Sequence, residues 1–361
     1  MINILVEGMT NSKGGKETYI INMFNFMDKT KYRFIFIAYD DEIAYEEYLK
    51  NAGAEVIHVA ARHKGLFKHR KELCCLFETK HVDVVWAHKT TLSACEILSI
   101  AKTYRVPVRI VHSHSSQNMG GKFTYFMHKI NQKFVFDWAN VYMACSEVAA
   151  KWFYGNHPAI IIKNGIDLEK FKFSQELRDK IRNRLKLQND FVIGHIGRFG
   201  KEKNHKKLID VFYEYKKLNP HSKLVLCGDG EERANIEHQI KSLSLENDVI
   251  LLGVIDNVHE ILQAIDIIVM PSLFEGLPFA LLEAQAAGLK CIVSDTVSKE
   301  ADVTGWNTFL PLDGTDEMWA NYVYRETVNG NREVGNCLLN KAGFNIKEAA
   351  YFVEKIIGLN Q

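Results

Sequence analysis

The chain carries almost no net charge. Its 45 lysines and arginines oppose 44 aspartates and glutamates, leaving +1 over 361 residues, so no global field draws it to nucleic acid or to an acidic partner. No run of about 18 consecutive apolar residues occurs, which excludes a spanning helix. The seven cysteines, an odd number, contain no C-x-x-C pair. Cys74 and Cys75 are adjacent, and Cys145, Cys227 and Cys291 lie in or beside apolar runs. They read as reduced core residues, not as a disulfide frame or a zinc site. The opening "MINILVEG" has no basic n-region and soon turns polar, which argues against a signal peptide and for a cytoplasmic location. Short repeats and low-complexity tracts are also missing.

What the chain does have is apolar patterning. It is 47% hydrophobic, enough for two domains with their own cores. Eleven β-branched runs read as strands: "INILV", "RFIFIA", "AEVIHV", "VDVVWA", "PVRIVHS" and "NVYMAC" in the first half, then "FVIGHIG", "SKLVLCG", "DVILLG", "DIIVMPS" and "KCIVSD". Between them lie stretches of helical period, such as "KKLIDVFYEYKKL" with Leu208, Val211, Phe212 and Tyr215 on one face. Alternation of continuous apolar strands with helices predicts parallel sheets covered on both faces. Eleven strands exceed one typical sheet. The turn at Asn164-Gly165, with the charged stretch "SQELRDKIRNRLKLQND" after it, offers the break. The expectation is two Rossmann-like α/β domains: 1–165 with a C-terminal helix over 345–361 packing back onto it, and 166–344.

Three loops invite chemistry. After the first strand, "EGMTNSKGGKETYI" places Gly14, Gly15 and Lys16 before a helix expected to start near Thr18. The P-loop pattern fails here, since Thr10 stands where its first glycine belongs and Glu17 where its hydroxyl belongs. The dinucleotide fingerprint fails as well. What remains is a glycine loop whose backbone can approach an anion, or an ordinary strand-to-helix turn. In the second half, "GHIGRFGKEKNH" sets Arg198 and Lys203 beyond a strand's C-terminal end, where open α/β sheets bind ligands. The two cations can clamp a diphosphate or simply form a solvated basic loop. Further on, "SLFEGLPFALLEAQAAG" holds Glu275, Gly276, Leu277, Pro278 and Phe279, then Glu283 eight positions after Glu275. Pro278 is placed to start a helix. That leaves Glu275 in the loop, Glu283 one to two turns into the helix, and first-turn N–H groups open to an anion. Phosphate beside hydroxyl-accepting carboxylates describes a nucleotide sugar; two surface glutamates around a cap are the plainer alternative.

Taken together, "GGKE" at 14–17, "HSH" at 112–114, "ACSE" at 144–147, "NGID" at 164–167, "GRFGKEKN" at 197–204, "GDGEER" at 228–233 and "EGLPFALLE" at 275–283 resemble the retaining glycosyltransferases of family 4. The motifs occur in the family's order and span most of the chain. The resemblance implies the GT-B fold, two Rossmann-like domains facing each other across a cleft. It implies Glu283 on ribose hydroxyls, Glu275 on the donor sugar, and Arg198 and Lys203 on the diphosphate with the backbone of Gly276, Leu277, Pro278 and Phe279. Gly15 would bring its N–H to the same phosphate, with Gly14 beside it, and Ile255 would meet the base. His112 matches the family's active-site histidine, and His114 follows on the same side if the strand continues. Glu275, Arg198, Lys203 and His112 would thus serve catalysis. No D-x-D triplet appears, so no metal and no cofactor are expected, with Arg198 and Lys203 supplying the charge. Gln285 and Lys290 depart from the family's commoner residues without removing a named role.

The implied function is transfer of a sugar from a nucleotide sugar, a UDP-sugar in the first instance, to a glycan or lipid-linked acceptor in surface polysaccharide synthesis. Two alternatives remain open: a sugar-nucleotide epimerase of the same architecture, and an inactive nucleotide-sugar-binding partner subunit, against which the intact Arg, Lys and Glu set argues. Family members often take lipid-linked acceptors. The basic cluster "ARHKGLFKHRKE" at 61–72 and the aromatic "GKFTYFMHKINQKFVFDW" at 121–138 therefore suggest peripheral contact with an anionic membrane on its inner face. A solvated loop and a core helix are the alternative.

Overall fold

The computed structural model describes residues 1–39, 41–118, 120–326 and 332–360. The chain divides into two compact units, Met1–Gly165 with Ile346–Gln361, and Ile166–Asn345.

The first unit is a seven-stranded sheet of β1 (Ile2–Glu7), β2 (Tyr32–Ala38), β3 (Glu55–His58), β4 (Val84–Lys89), β5 (Val108–Ser113), β6 (Val141–Ala144) and β7 (Ile160–Ile161), in the order β3-β2-β1-β4-β5-β6-β7. Every pairing is parallel. The central strands are apolar on both faces because helices cover both. Val84, Val85, Trp86 and Ala87 are all buried. The helix Gly15–Phe26 lies against the C-terminal helix Ile346–Leu359, whose Ile346, Ala350, Val353 and Ile357 form a buried stripe at helical spacing. Its Glu354 carboxylate accepts from the Asp28 N–H at 2.7 Å.

The second unit repeats the plan with β8 (Phe191–Ile196), β9 (Ser222–Cys227), β10 (Val249–Gly253), β11 (Ile267–Met270), β12 (Lys290–Ser294) and β13 (Asn307–Leu310), ordered β10-β9-β8-β11-β12-β13. The expected face of the helix His205–Leu218 is buried: Leu208, Val211, Phe212 and Tyr215. In each unit the strand order reverses beside the first strand, between β1 and β4 and between β8 and β11. Loops leaving the C-terminal ends of those strands part there, which opens the crevice where ligands bind.

The structure differs from the sequence reading in several places. It has two strands more than the eleven expected, β7 and β13. The first spans two residues, and the second, "NTFL", has no β-branched run and lies half-buried at the sheet edge. The charged stretch after Asn164 is a helix, Gln175–Leu185. Its Arg178 and Arg182 bind Asp266 at 2.5 and 3.2 Å, and Asp266 also accepts from the Val192 N–H at 2.7 Å. Charge there ties a helix to the start of two strands. The helix after β1 begins at Gly15 rather than near Thr18, since the Thr18 N–H already donates to the Gly14 carbonyl at 2.9 Å. The segment at 121–138 is not a core helix. Lys122–Trp138 buries only His128 and Val135, and exposes Phe123, Tyr125, Phe126 and Phe134. No disulfide joins any two cysteines among the described residues; Cys95, Cys227 and Cys291 are buried.

Candidate functional site

In the second unit, β8 ends at Ile196 and the chain turns through Gly197 and Arg198 into a short 3-10 helix, Lys201–Lys203. A Cβ on Gly197 would sit 3.0 Å from Lys203 Cε, so the bare backbone there makes room for the lysine stem. The β11 exit is tied to the same turn: the Leu273 N–H donates to the Glu202 carbonyl at 2.8 Å. Glu275 is then held by its own backbone, its carbonyl accepting from the Ser298 N–H at 3.1 Å. These anchors bring Lys203 Nζ onto Glu275 Oε1 in a close ion pair, with both side chains mostly buried. Arg198 stands more open, 64% exposed, with Nη2 3.2 Å from Glu202 and 3.7 Å from Glu231. Both pairs are exposed and therefore weak, so turning the Arg198 guanidinium toward an anion costs little.

The helix Phe279–Ala286 follows, with Pro278 extended at its N-cap rather than inside it. The Leu281 and Leu282 N–H groups return to the Pro278 carbonyl at 3.1 and 3.3 Å. The amides of Phe279 and Ala280 precede the first intrahelical bond and point out of the N-terminus. A Cβ on Gly276 would meet nothing within 4 Å, so the loop before the helix is open to a ligand. Glu283, at the fifth helical position, is half-buried. Burial pushes its carboxyl up to about 7, and Lys170 pulls the other way. Ile255 lies in the loop after β10, half-buried against the core. Gln285, one of the departures from the family pattern, is fully buried and used. Its amide donates to the Leu281 and Ala301 carbonyls, and its oxygen accepts from the Val303 and Thr304 N–H groups at 2.9 and 3.0 Å. Lys290 is paired with Glu326 at 2.8 Å.

In the first unit, Gly8 follows β1 at φ +134°, and a Cβ there would lie 2.7 Å from both Cβ and the carbonyl oxygen of His88. Only glycine lets the β1 exit pass so close to β4. Gly14 caps the next helix and Gly15 opens it. Glu17 turns inward to accept from Thr10 at 2.7 Å, with Lys16 Nζ 3.2 Å from the same oxygen. Lys89 and Glu7 form a buried pair at 2.6 Å, and the Tyr39 hydroxyl donates to the same Glu7 oxygen at 3.0 Å. Burial alone would lower the Lys89 pKa, but Glu7 overrides it and the net shift is upward. A cavity of about 410 Å³ borders Gly8, Lys16, Tyr39, Arg62, His88 and Lys89.

His112 is fully buried, and neither of its ring nitrogens has a hydrogen-bond partner. Parallel register sets it opposite His88, and the His114 N–H bonds the Lys89 carbonyl at 2.8 Å, holding all three imidazoles on one side of the sheet. The His112 and His114 rings stack at 4.4 Å, and His88 Nδ1 lies 2.9 Å from His114 Nε2. Burial lowers all three pKa values, that of His112 to about 3, so the imidazoles are neutral. Tyr19 covers them from the helix Gly15–Phe26, its ring 5.1 Å from those of His112 and His114. His88, Tyr19, Lys89 and Glu7 were not singled out from sequence. Glu7, His88 and Lys89 had a usable signal, a polar residue at the C-terminal end of an apolar strand, as His112 did; Tyr19 had none.

The comparisons fall on both units. The family models "Glycosyltransferase Family 4" and "Glycosyl transferases group 1" match residues 13–170 and 178–310. The chain is 32% identical over 335 residues to the EpsF protein of Bacillus subtilis (strain 168), whose name assigns it provisionally to the glycosyltransferases; the match covers 88% of this chain and 86% of that one. It is 31% identical over 258 residues, 65% of this chain and 64% of the other, to the UDP-Gal:alpha-D-GlcNAc-diphosphoundecaprenol alpha-1,3-galactosyltransferase of Escherichia coli. Among solved structures, Anabaena Alr3699/HepE in complex with UDP superposes with a TM-score of 0.78 at 18% identity, covering 99% of this chain and all (100%) of that one. WaaG, a glycosyltransferase involved in lipopolysaccharide biosynthesis, superposes at 0.70 with 12% identity, covering 98% and 99%.

Proposed function

The chain belongs to glycosyltransferase family 4, with the GT-B fold, and from that premise we propose that it moves a sugar from a UDP-sugar, with retention at the anomeric carbon, to a glycan or lipid-linked acceptor in surface polysaccharide synthesis. The observation that carries the proposal is the set at the second unit's switch point. Arg198 is exposed, Lys203 is held on Glu275, and Glu283 lies beyond open helix amides. Each polar part of a nucleotide sugar has a partner in that set. Glu283 accepts from ribose hydroxyls and Glu275 from hydroxyls of the donor sugar. Lys203, Arg198 and the amides of Phe279 and Ala280 take the diphosphate.

A leaving nucleoside diphosphate gains negative charge as the glycosidic bond breaks. Fixed cations in a water-poor site stabilise that charge without reorganising, so Arg198 and Lys203 act most strongly in the transition state. In this reading they supply the charge that a hard cation would otherwise bring to the diphosphate. The bond from the anomeric carbon to the phosphate oxygen breaks, the acceptor oxygen attacks from the same face, and its proton passes to the leaving diphosphate. The protein supplies position and charge. The UDP donor is supported by the names of two similar proteins, a galactosyltransferase named for UDP-Gal and a structure in complex with UDP.

The test is a panel of nucleotide sugars, read as donor hydrolysis and as thermal stabilisation. A donor that binds the native state raises stability by mass action. Stabilisation by UDP and one or a few UDP-sugars is expected; stabilisation by another nucleotide with none by UDP would overturn the donor assignment.

The exposed face of Lys122–Trp138 also favours docking on an anionic membrane. Phe123, Phe126 and Phe134 stand beside Lys122, Lys129 and Lys133, and Leu66 and Phe67 are exposed near Lys64 and Lys68. Apolar side chains flanked by lysines suit a lipid interface. No helix among the described residues is long and apolar enough to cross a membrane.

A further inference from the structure

We propose that His88, His112 and His114 form a binding site for one borderline divalent cation, of which zinc is the type, in the first unit. The proposal goes beyond the donor chemistry above and does not depend on it. Each histidine offers one ring nitrogen, and the three lie within 4.8 Å of one another. Zinc–nitrogen bonds of about 2.0–2.1 Å set tetrahedral ligand atoms about 3.4 Å apart, so the trio closes on an ion by side-chain rotation alone. The backbone is already fixed, since His88 and His112 are register partners on neighbouring strands and the His114 N–H is bonded to β4.

Unmet hydrogen bonding is the second, independent observation. Buried polar groups are nearly always paired, and each exception asks for a cause. Here the His88–His114 contact satisfies one nitrogen of each ring. Both nitrogens of the fully buried His112 and Nδ1 of His114 have no partner, nor has the Tyr19 hydroxyl that caps the cluster. A cation accepts the lone pairs that the protein leaves unused.

Ligand chemistry selects the ion. Three imidazoles with no carboxylate among them suit zinc, cobalt or nickel, and leave the hard ions magnesium and calcium without oxygen ligands. Lys16 and Lys89 are the nearby cations, and each is matched by a carboxylate, Glu17 at 3.2 Å and Glu7 at 2.6 Å, which offsets part of their repulsion. His88 borders the 410 Å³ cavity, which gives the ion a way in. Three protein ligands leave a fourth position for water.

The experiment uses the full chain, freed of metal by chelation and dialysis, then titrated with Co2+ and with Zn2+. Readouts are visible absorption of the bound cobalt, elemental analysis after gel filtration, and thermal denaturation. One equivalent of metal per chain is expected, with a tetrahedral cobalt spectrum lacking thiolate charge transfer and a rise in melting temperature. His88→Gln and His114→Gln should each weaken binding at least about tenfold, while a Cys74→Ser/Cys75→Ser control binds as wild type. A folded wild-type chain that takes up no cobalt or zinc overturns the proposal, and so does binding unchanged in both histidine variants. Should a histidine variant fail to fold, the wild-type cobalt spectrum decides alone: nitrogen-only tetrahedral ligation supports the site, and thiolate ligation or no uptake refutes it.

Discussion

Glu283→Gln should make the ligand-free protein more stable at pH 8 while weakening its hold on UDP. Glu283 titrates near 7 instead of the ordinary 4.5 because its surroundings desolvate the charged form. The folded state therefore holds this proton more tightly than the unfolded chain does. The contribution to stability is full below about pH 4.5 and is lost as pH rises to 7 and above. At about 1.4 kcal/mol per pH unit of displacement, the whole shift is worth about 3 kcal/mol. The residue as a whole is only half-buried, and residual water contact reduces the expected gain from glutamine to about 1–3 kcal/mol. Urea denaturation across pH 4–8 checks it: the variant should exceed wild type at pH 8, and the two should converge toward pH 4. Binding runs the other way. An ionised carboxylate accepting ribose hydroxyls is worth about 1.5–3 kcal/mol, so UDP affinity should fall tenfold or more in the variant. Wild-type affinity should drop as pH falls below 7, by more than the variant's does, which corrects for titration of the diphosphate itself. Glu275→Ala gives the contrast, sparing UDP affinity while abolishing transfer from the whole donor. A Gln variant that is less stable at pH 8, or equal UDP affinity losses at both glutamates, would refute the reasoning.

Two other expectations follow from charge and exposure. Arg198→Ala and Lys203→Ala should each lower turnover about a hundredfold or more, the scale seen for loss of one oxyanion donor, with the fold intact by circular dichroism and with no added magnesium or manganese required by the wild type. Full activity in both variants would place the diphosphate elsewhere. Sedimentation with anionic vesicles should be strong at low salt and weak at high salt, at about 1 kcal/mol per basic residue near the surface. It should fall further in Phe123→Ser/Phe126→Ser; no binding at low salt would leave that helix as plain surface.

The sequence by itself determined the fold class, because periodicity is local. Strands apolar on both faces and helices with one buried stripe, such as Leu208, Val211, Phe212 and Tyr215, can bury themselves only as covered parallel sheets. It also placed Arg198, Lys203 and His112 beyond or at strand ends, since the order of elements along the chain says which end is carboxyl. Short or mixed runs such as β7 and β13 carried too little of that signal, and the charged stretch that marks the domain break does not by itself reveal that its arginines, in the helix Gln175–Leu185, bind Asp266. Only the tertiary structure decided which loops meet. Lys203 and Glu275 are 72 positions apart and become an ion pair because β8 and β11 are neighbours at the reversal of strand order. His88 joins His112 because β4 pairs with β5 in that register. The raised carboxyl of Glu283 and the lowered imidazoles of the histidine trio likewise belong to packing. Desolvation depends on everything that surrounds a group in space, and a residue's neighbours in sequence supply only a small part of that.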